Sequence, residues 1–287
     1  MLNLRKITPL NGFDSTNLFN ARQNNYAWSI AELDDYIYVG TGRNIGLWAI
    51  LSFGKLIPNL KVPVSVNADN MDLRAEIWRY KKDGSSQWEK VFKAPEGIDG
   101  FRFMICHKPF NGRAALYAAG TSMTKSNKLD VFKSCNGTNW VSVSWDNLKG
   151  NTSRSMIVHE NKIYMATAIE GVSTPFLYSS TDPEIYGWHT EVDGSVEIFD
   201  KTKNPVGFIY NLASFNGHIY AATGCVDGVQ VWRTRGSVPS INDWILIADK
   251  GFGDKSKTYP LSVGVFKDHL YVSATTSLPQ HHKLKKL

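Results

Sequence analysis

The sequence predicts an all-β fold of repeated antiparallel meanders, and three observations predict it. The first is a ten-residue segment, Phe215 to Gly224 (FNGHIYAATG), that recurs as Leu33 to Gly42, Phe110 to Gly120, His159 to Ala168 and Phe266 to Thr275. Each copy carries a tyrosine in its strand half, at Tyr38, Tyr117, Tyr164, Tyr220 and Tyr271. The second is a tryptophan that recurs as Trp88, Trp140, Trp188 and Trp244, at spacings of 52, 48 and 56 residues. The third is the aromatic load, with 9 Trp, 12 Tyr and 14 Phe in 287 residues, which suits pleated sheets more than helical bundles.

Each copy follows an apolar run across a two-residue turn signal such as Asp34-Asp35 or Asn216-Gly217, and two such runs around a turn of this kind form a hairpin. A third strand-like run comes next: Glu76 to Tyr80, Asp130 to Ser134, Phe176 to Ser180 and Gln230 to Thr234. The recurring tryptophan then opens a fourth. A four-strand unit recurring every 40 to 50 residues or so is the signature of a propeller blade. The expected fold is therefore a single domain, residues 1–287: a five-bladed β-propeller of four-stranded blades. The fifth unit ends near Thr275, short of its own Trp-led strand, while Ile7 and Gly12-Phe13-Asp14 echo Ile247 and Gly251-Phe252-Gly253-Asp254. This predicts that the N-terminal strand closes the ring and removes its free edges. The tail Leu284 to Leu287 reads as a poor third strand or a loose basic end. The first full blade is about 30 residues too long, and the surplus, 42–74, is a short helical and irregular insert: Ile45 to Leu56 is apolar enough for a helix, and Pro58 and Pro63 stop regular structure.

Hydrophobic residues at 43% and charged residues at 20% describe a globular protein. The net charge of +6 admits an acidic partner, but no dense Lys/Arg block points to nucleic acid. No apolar run reaches the roughly 18 residues of a membrane span, and residues 1–13 contain no secretory h-region, so a cytoplasmic location is the default expectation. Cys106, Cys135 and Cys225 are odd in number and far apart, which predicts free thiols rather than a disulfide framework. No His/Asp/Glu set has metal-ligand spacing, and no phosphate loop, dinucleotide fingerprint or Gly-x-Ser-x-Gly elbow occurs in a suitable context, so neither metal nor cofactor is expected. The sequons at Asn136 and Asn151 read as coincidental without a signal peptide.

The repeat, with glycine-containing loops and a tryptophan opening the outer strand, resembles the sialidase-type (Asp-box, BNR-like) and kelch-like β-propellers over essentially the whole chain. The Asp-box reads Ser-x-Asp-x-Gly-x-x-Trp. Its nearest counterparts are Ser134 to Trp140, one residue short with Asn136 for the aspartate, and Asp83 to Trp88, which lacks the serine. Sialidases also carry a Phe/Tyr-Arg-Ile-Pro segment; Phe101-Arg102-Phe103-Met104 is the nearest segment, and no sialidase active site is carried over.

In such a fold the insert falls on the rim where ligands bind, and long connections of this kind are usually functional or disordered. Counting ten residues upstream of each blade tyrosine places Trp28, Arg154, Tyr210 and Leu261 at equivalent inner-strand positions, with Arg102 close to the matching place. Tyr26, Tyr259, Arg43, Asn44 and Trp48 should neighbour them on loops. Arginines among aromatics suit anions, or sugars stacked on rings and held by planar polar groups. The candidate ligand-binding residues are thus Arg43, Asn44, Trp48, Arg102, Arg154, Tyr210 and Tyr259; packing at the blade interface is the competing structural reading. The next ring, Ile30, Met156, Leu212 and Val263, reads as core. His107, His159, His218, His269 and His281-His282 are weaker candidates. Glu32, Asp99, Glu170, Asp227 and Asp254 lie where a glycosidase pair could sit, though nothing selects two of them.

The leading expectation is a ligand-recognition domain, for a small molecule or glycan. The alternatives are a carbohydrate-active hydrolase or lyase using the same rim, or a protein-binding scaffold presenting Leu47, Trp48, Leu51 and Phe53.

Overall fold

Alternating apolar and polar side chains, broken by residues that tolerate positive φ, turn each repeat into a hairpin. The computed structural model describes residues 6–8, 10–47, 71–122, 129–169 and 172–276. At Glu160-Asn161, Asn216-Gly217 and Lys267-Asp268 both turn residues have positive φ, as the favoured two-residue hairpin turn requires. Trp48 and residues 49–70 of the insert, Glu170, and the tail with His281 and His282 lie outside the described residues.

The chain packs as two compact units, one of residues 1–108 and 112–143, the other of 109–111 and 144–287. In the first, β1 (Tyr26–Leu33), β2 (Tyr36–Gly42), β3 (Glu76–Lys81) and β4 (Glu89–Lys93) form an antiparallel meander. A second meander follows in β5 (Gly100–His107), β6 (Ala115–Thr121), β7 (Val131–Ser134) and β8 (Val141–Ser142). One residue pair, Gly42 opposite Gly100, joins the two. Their core holds Leu33, Tyr38, Ile77, Ile98, Phe101, Met104, Leu116 and Phe132.

The second unit repeats the design. β9 (Thr152–His159), β10 (Lys162–Ala168), β11 (Phe176–Ser180) and β12 (His189–Asp193) form one sheet. β13 (Phe208–Phe215), β14 (His218–Gly224), β15 (Gln230–Thr234) and β16 (Trp244–Ala248) form the next, and β17 (Tyr259–Phe266) pairs with β18 (His269–Thr275) in a hairpin. Tyr164, Leu177, Val192, Ile209, Leu212, Ile219, Trp232 and Trp244 pack as the core. The protein is all-β, and each recurring tryptophan stands at or just before a fourth strand, as its spacing implies.

Three of the five repeat tyrosines are core residues, while Tyr220 is part-buried and Tyr271 is exposed. Tyr38, Tyr117 and Tyr164 are buried, and burial pushes the Tyr164 hydroxyl well above its ordinary pKa. The Asp-box-like segments are also structural. Asn136 Oδ1 accepts from the Thr138 and Asn139 amides at 3.0 and 2.8 Å, and Asp83 Oδ1 accepts from the Ser85 amide at 2.8 Å. The same turn recurs at Asp14, Asp193, Asp200 and Asp254, in which a short acceptor satisfies backbone donors two residues on. Hydrogen bonds from the Thr202 hydroxyl and amide hold Asp200 at about 2.

Three features depart from the sequence reading. Residues 6–8 form no strand; the Ile7 carbonyl accepts from Trp88 Nε1 at 3.1 Å, and Phe13 packs on Trp78 and Trp88, so this segment lies on the first sheet as an irregular strap. A helix, α1 (Leu18–Gln23), follows it, capped by Asn17 Oδ1 accepting from the Asn20 amide at 3.0 Å. Met156 and Leu212 are buried as expected, but Ile30 is 65% exposed, because it lies on the face of β1 opposite the one that packs on β5. With Ile7, Leu10, Phe13, Val39 and Trp88 it lines a groove of about 700 Å³.

Candidate functional site

The inner strand of every repeat contains one extra residue relative to its hairpin partner. In β1 the register slips between Ala27 and Ser29, in β5 between Phe101 and Phe103, and in β9 between Ser153 and Ser155. It slips again between Ile209 and Asn211 in β13 and between Pro260 and Ser262 in β17. The bulged residues are Trp28, Arg102, Arg154, Tyr210 and Leu261, the set that the tyrosine count aligned, with Arg102 now in register. A bulge leaves its extra residue out of the ladder and re-aims its side chain, and such bulges are enriched beside functional sites.

In the second unit three neighbouring strands bring these positions together. Arg154 Nη1 donates to Tyr259 Oη at 2.6 Å. Its guanidinium carbon lies 4.8 Å from the Tyr210 ring centre, 5.4 Å from Phe208 and 5.6 Å from Tyr259. Tyr210 packs on Phe208 at 4.3 Å and on Tyr259 at 4.5 Å between centroids. The result is a cation framed by three rings, a geometry that attracts the charge to the ring faces and fixes its direction. In the first unit the pair is simpler: Arg102 lies 5.0 Å over the Trp28 ring, and Tyr26 meets Trp28 edge-on at 5.9 Å.

Glycines make room for the bulged aromatics. A Cβ on Gly224 would stand 2.7 Å from Tyr210 Cε2, and one on Gly42 would stand 2.6 Å from Trp28 Cε3. Gly100 is likewise covered by the Trp28 ring. These rings lie flat on bare backbone, which removes their rotameric freedom before any ligand arrives.

Arg43 and Asn44 do not join this cluster. The Arg43 side chain is fully buried. Its Nη1 donates to Asn20 Oδ1 at 2.9 Å and Asn24 Oδ1 at 2.8 Å, Nη2 to Gln23 Oε1 at 3.1 Å, and Nε to the Asp72 carbonyl at 2.9 Å. Glu76 Oε2, also fully buried, lies 3.4 Å away and accepts from Asn24 Nδ2 at 2.7 Å and Trp78 Nε1 at 3.0 Å. Asn44 Nδ2 donates to Gln23 Oε1 at 3.2 Å. The Gly-Arg-Asn loop thus corrects to a structural anchor for α1: its polar groups are spent inside the unit. Burial pulls the Arg43 pKa down, and the Glu76 charge opposes it. Leu47 is buried, and the rest of the proposed scaffold patch lies outside the described residues.

The other candidates are engaged locally. Lys82 Nζ pairs with Glu32 at 2.6 Å, and Asp254 accepts from the Ser256 amide and hydroxyl, bonds that lower its pKa. His159 meets Ser214 Oγ at 2.8 Å and the Ser237 carbonyl at 2.9 Å, while His218 meets the Gly236 carbonyl of the loop after β15 and His269 the Lys267 carbonyl of its own turn. Cys106 and Cys225 are free, and burial raises both thiol pKa values, away from the thiolate that reactivity needs. Among the described residues no group of three His, Cys, Asp or Glu could hold a metal ion, and no helix is long and apolar enough to cross a membrane.

No protein-family model and no curated protein matches the chain. Among solved structures it is similar to a nidogen/laminin complex, at 9% identity over 86% of this chain and 71% of that one, with a TM-score of 0.48. It is similar to the Dos1 propeller at 11% identity over 78% of this chain, with a TM-score of 0.46; there it spans about half of that chain, 49%. It is also similar to the Penicillium chrysogenum α-L-arabinanase complexed with arabinobiose, at 12% identity over 77% of this chain and 65% of that one, with a TM-score of 0.45.

Proposed function

We propose that this chain is a ligand-recognition domain that binds a carbohydrate, an acidic sugar above all, through the bulged residues of its inner strands. The observation that carries the reading is the Arg154 guanidinium framed by Phe208, Tyr210 and Tyr259. A guanidinium gives planar, directed donors to a carboxylate or to vicinal hydroxyls. Aromatic rings give the flat apolar faces on which a pyranose stacks. Arg102 with Trp28 repeats the pairing in the first unit and serves the same ligand chemistry. We take the five repeats as blades of one divergent propeller domain; the shared strand order and the shared bulge support that reading.

The test is an array of neutral and uronate-containing glycans probed with the wild type, Arg154→Ala and Tyr210→Ala. Binding by the wild type that falls at least tenfold in both variants supports the proposal. Arg154→Ala binding at wild-type strength sinks it.

A further inference from the structure

A second surface of the second unit is built for a flat ligand, away from the bulged residues. Trp145 lies in the loop before β9, and despite its size it is 45% exposed. Its position is fixed on two sides. Nε1 donates to the Pro183 carbonyl at 2.8 Å, and the ring lies against Gly187, where a Cβ would meet Cδ2, Cε2 and Cε3 at 2.8 to 3.0 Å. Gly187 also has φ 68°, so glycine is required there twice over. The loop that carries Trp145 is stapled again by Asn147 Nδ2 donating to the Trp188 carbonyl at 2.5 Å.

The support beneath the indole is equally firm. Residues Pro183–Tyr186 form a short helix capped by Asp182, whose carboxylate accepts from the Glu184 amide at 3.1 Å. That turn displays Tyr186, 72% exposed, beside Gly187, and Trp188 anchors it in the interior. The sequence neighbours Asp146 and Glu184 are exposed carboxylates, able to accept from hydroxyl donors.

We propose that Trp145, with Tyr186, is a stacking platform for a pyranose ring of a neutral polysaccharide. An indole held by its N–H and one face has its remaining surface turned to water, and that is the face a sugar's C–H groups cover. The exposed carboxylates next in sequence to Trp145 and to Pro183, Asp146 and Glu184, match hydroxyls, whereas protein interfaces deplete charge around their aromatic centres. The platform is independent of the Arg154 cluster and extends ligand recognition to a second surface.

The experiment is affinity electrophoresis in native gels containing soluble β-glucan, xylan or galactomannan, run against a polysaccharide-free gel. The wild type should be retarded at least twofold in one of them. Trp145→Ala should migrate as in the empty gel, Trp145→Phe should keep part of the retardation, and Arg154→Ala should be retarded like the wild type. Tyr186→Ala, at an exposed position, should weaken retardation and keeps the test decisive if Trp145→Ala fails to fold. Wild-type retardation in none of the gels, or undiminished retardation of both Trp145→Ala and Tyr186→Ala, overturns the platform. Retardation lost only with Arg154→Ala also overturns it and leaves the Arg154 reading standing. Capture of a protein through Trp145 with no polysaccharide retardation overturns it in favour of a protein-docking patch.

Discussion

Replacing Arg43 by methionine separates an anchor from a ligand contact. The variant keeps the length and much of the apolar stem of the side chain but removes a charge with no solvent exposure. It strands the Asn20, Asn24 and Gln23 acceptors and the Asp72 carbonyl that the guanidinium serves. Glu76 is left buried and negative. Its compensation is then Lys90 Nζ at 3.2 Å, part-exposed, with donors from Asn20, Asn24 and Trp78. Breaking a buried pair by removing one partner costs about 3 to 5 kcal/mol, and the retained Lys90 contact places this case near 3 kcal/mol. For a unit of this size, 1 kcal/mol moves Tm by roughly 2 to 4 °C, so the transition of the first unit should fall by about 6 to 12 °C in scanning calorimetry. Adding Glu76→Leu should restore part of the loss, because the two residues are coupled and the double variant carries no unpaired buried charge. Glycan binding at temperatures below the transition should be unchanged. A loss of about 0.5 kcal/mol or less together with lost glycan binding would refute the anchor and return Arg43 to the binding surface.

The remaining predictions concern single positions. Gly224→Ala places a Cβ 2.7 Å from Tyr210 Cε2 and 3.0 Å from the Thr258 carbonyl; it should cost about 1 to 3 kcal/mol by overpacking and weaken glycan binding, and combined with Tyr210→Ala it should cost less than the sum of the two single losses, as urea titration and the array will show. Asp200, held at about 2 by the Thr202 hydroxyl and amide and by Lys203, should titrate higher in Thr202→Ala but stay below the ordinary value of about 3.9, because the substitution removes the hydroxyl donor alone. Because its folded pKa is depressed, the turn's stabilisation is present above about pH 4 and is lost as pH falls toward 2; carboxyl NMR titration of both proteins checks direction and window. Tyr164→Phe removes a buried hydroxyl that makes no hydrogen bond among the described residues, so Tm should hold or rise, and a fall would reveal a partner.

The hairpins were legible because their signals are local. Asn216-Gly217 and Asp34-Asp35 sit between apolar runs, and the turn chemistry needs no knowledge of the rest of the chain. Ile30 departs from its core expectation for the opposite reason: an apolar residue on an alternating strand is core only if something covers that face, and here the face is an open groove. The six residues of α1 are too few for helical periodicity to register, and the partners of Arg43 lie about twenty residues upstream and some thirty downstream, where loop-like local sequence says nothing of them. Arg102 stands farther from its repeat tyrosine, Tyr117, than the other bulged residues stand from theirs, because the connection from Lys108 to Ala114 is longer than the two-residue turns elsewhere.

The bulge explains why the last residue of the repeated segment varies as it does. Aligned by strand register, which moves the end of the second copy from Gly120 to Thr121, its five counterparts are Gly42, Thr121, Ala168, Gly224 and Thr275, facing Tyr26, Gly100, Thr152, Phe208 and Tyr259 across the hairpin. Where the bulged residue is aromatic, Trp28 or Tyr210, the segment ends in glycine and the ring lies on it. Where it is Arg102, Arg154 or Leu261, the segment ends in threonine or alanine. The terminal glycine of FNGHIYAATG is therefore no general strand stop; it accompanies a flattened ring and is dispensable elsewhere. An arginine reaching past its own strand needs no such cradle, but it needs rings on the next strand to reach over. Tyr210 above Gly224 supplies one for Arg154, and Trp28 above Gly42 supplies one for Arg102. The glycine endings thus mark the strands that present a ring, Trp28 and Tyr210, and the other endings mark those whose bulged residue is Arg102, Arg154 or Leu261.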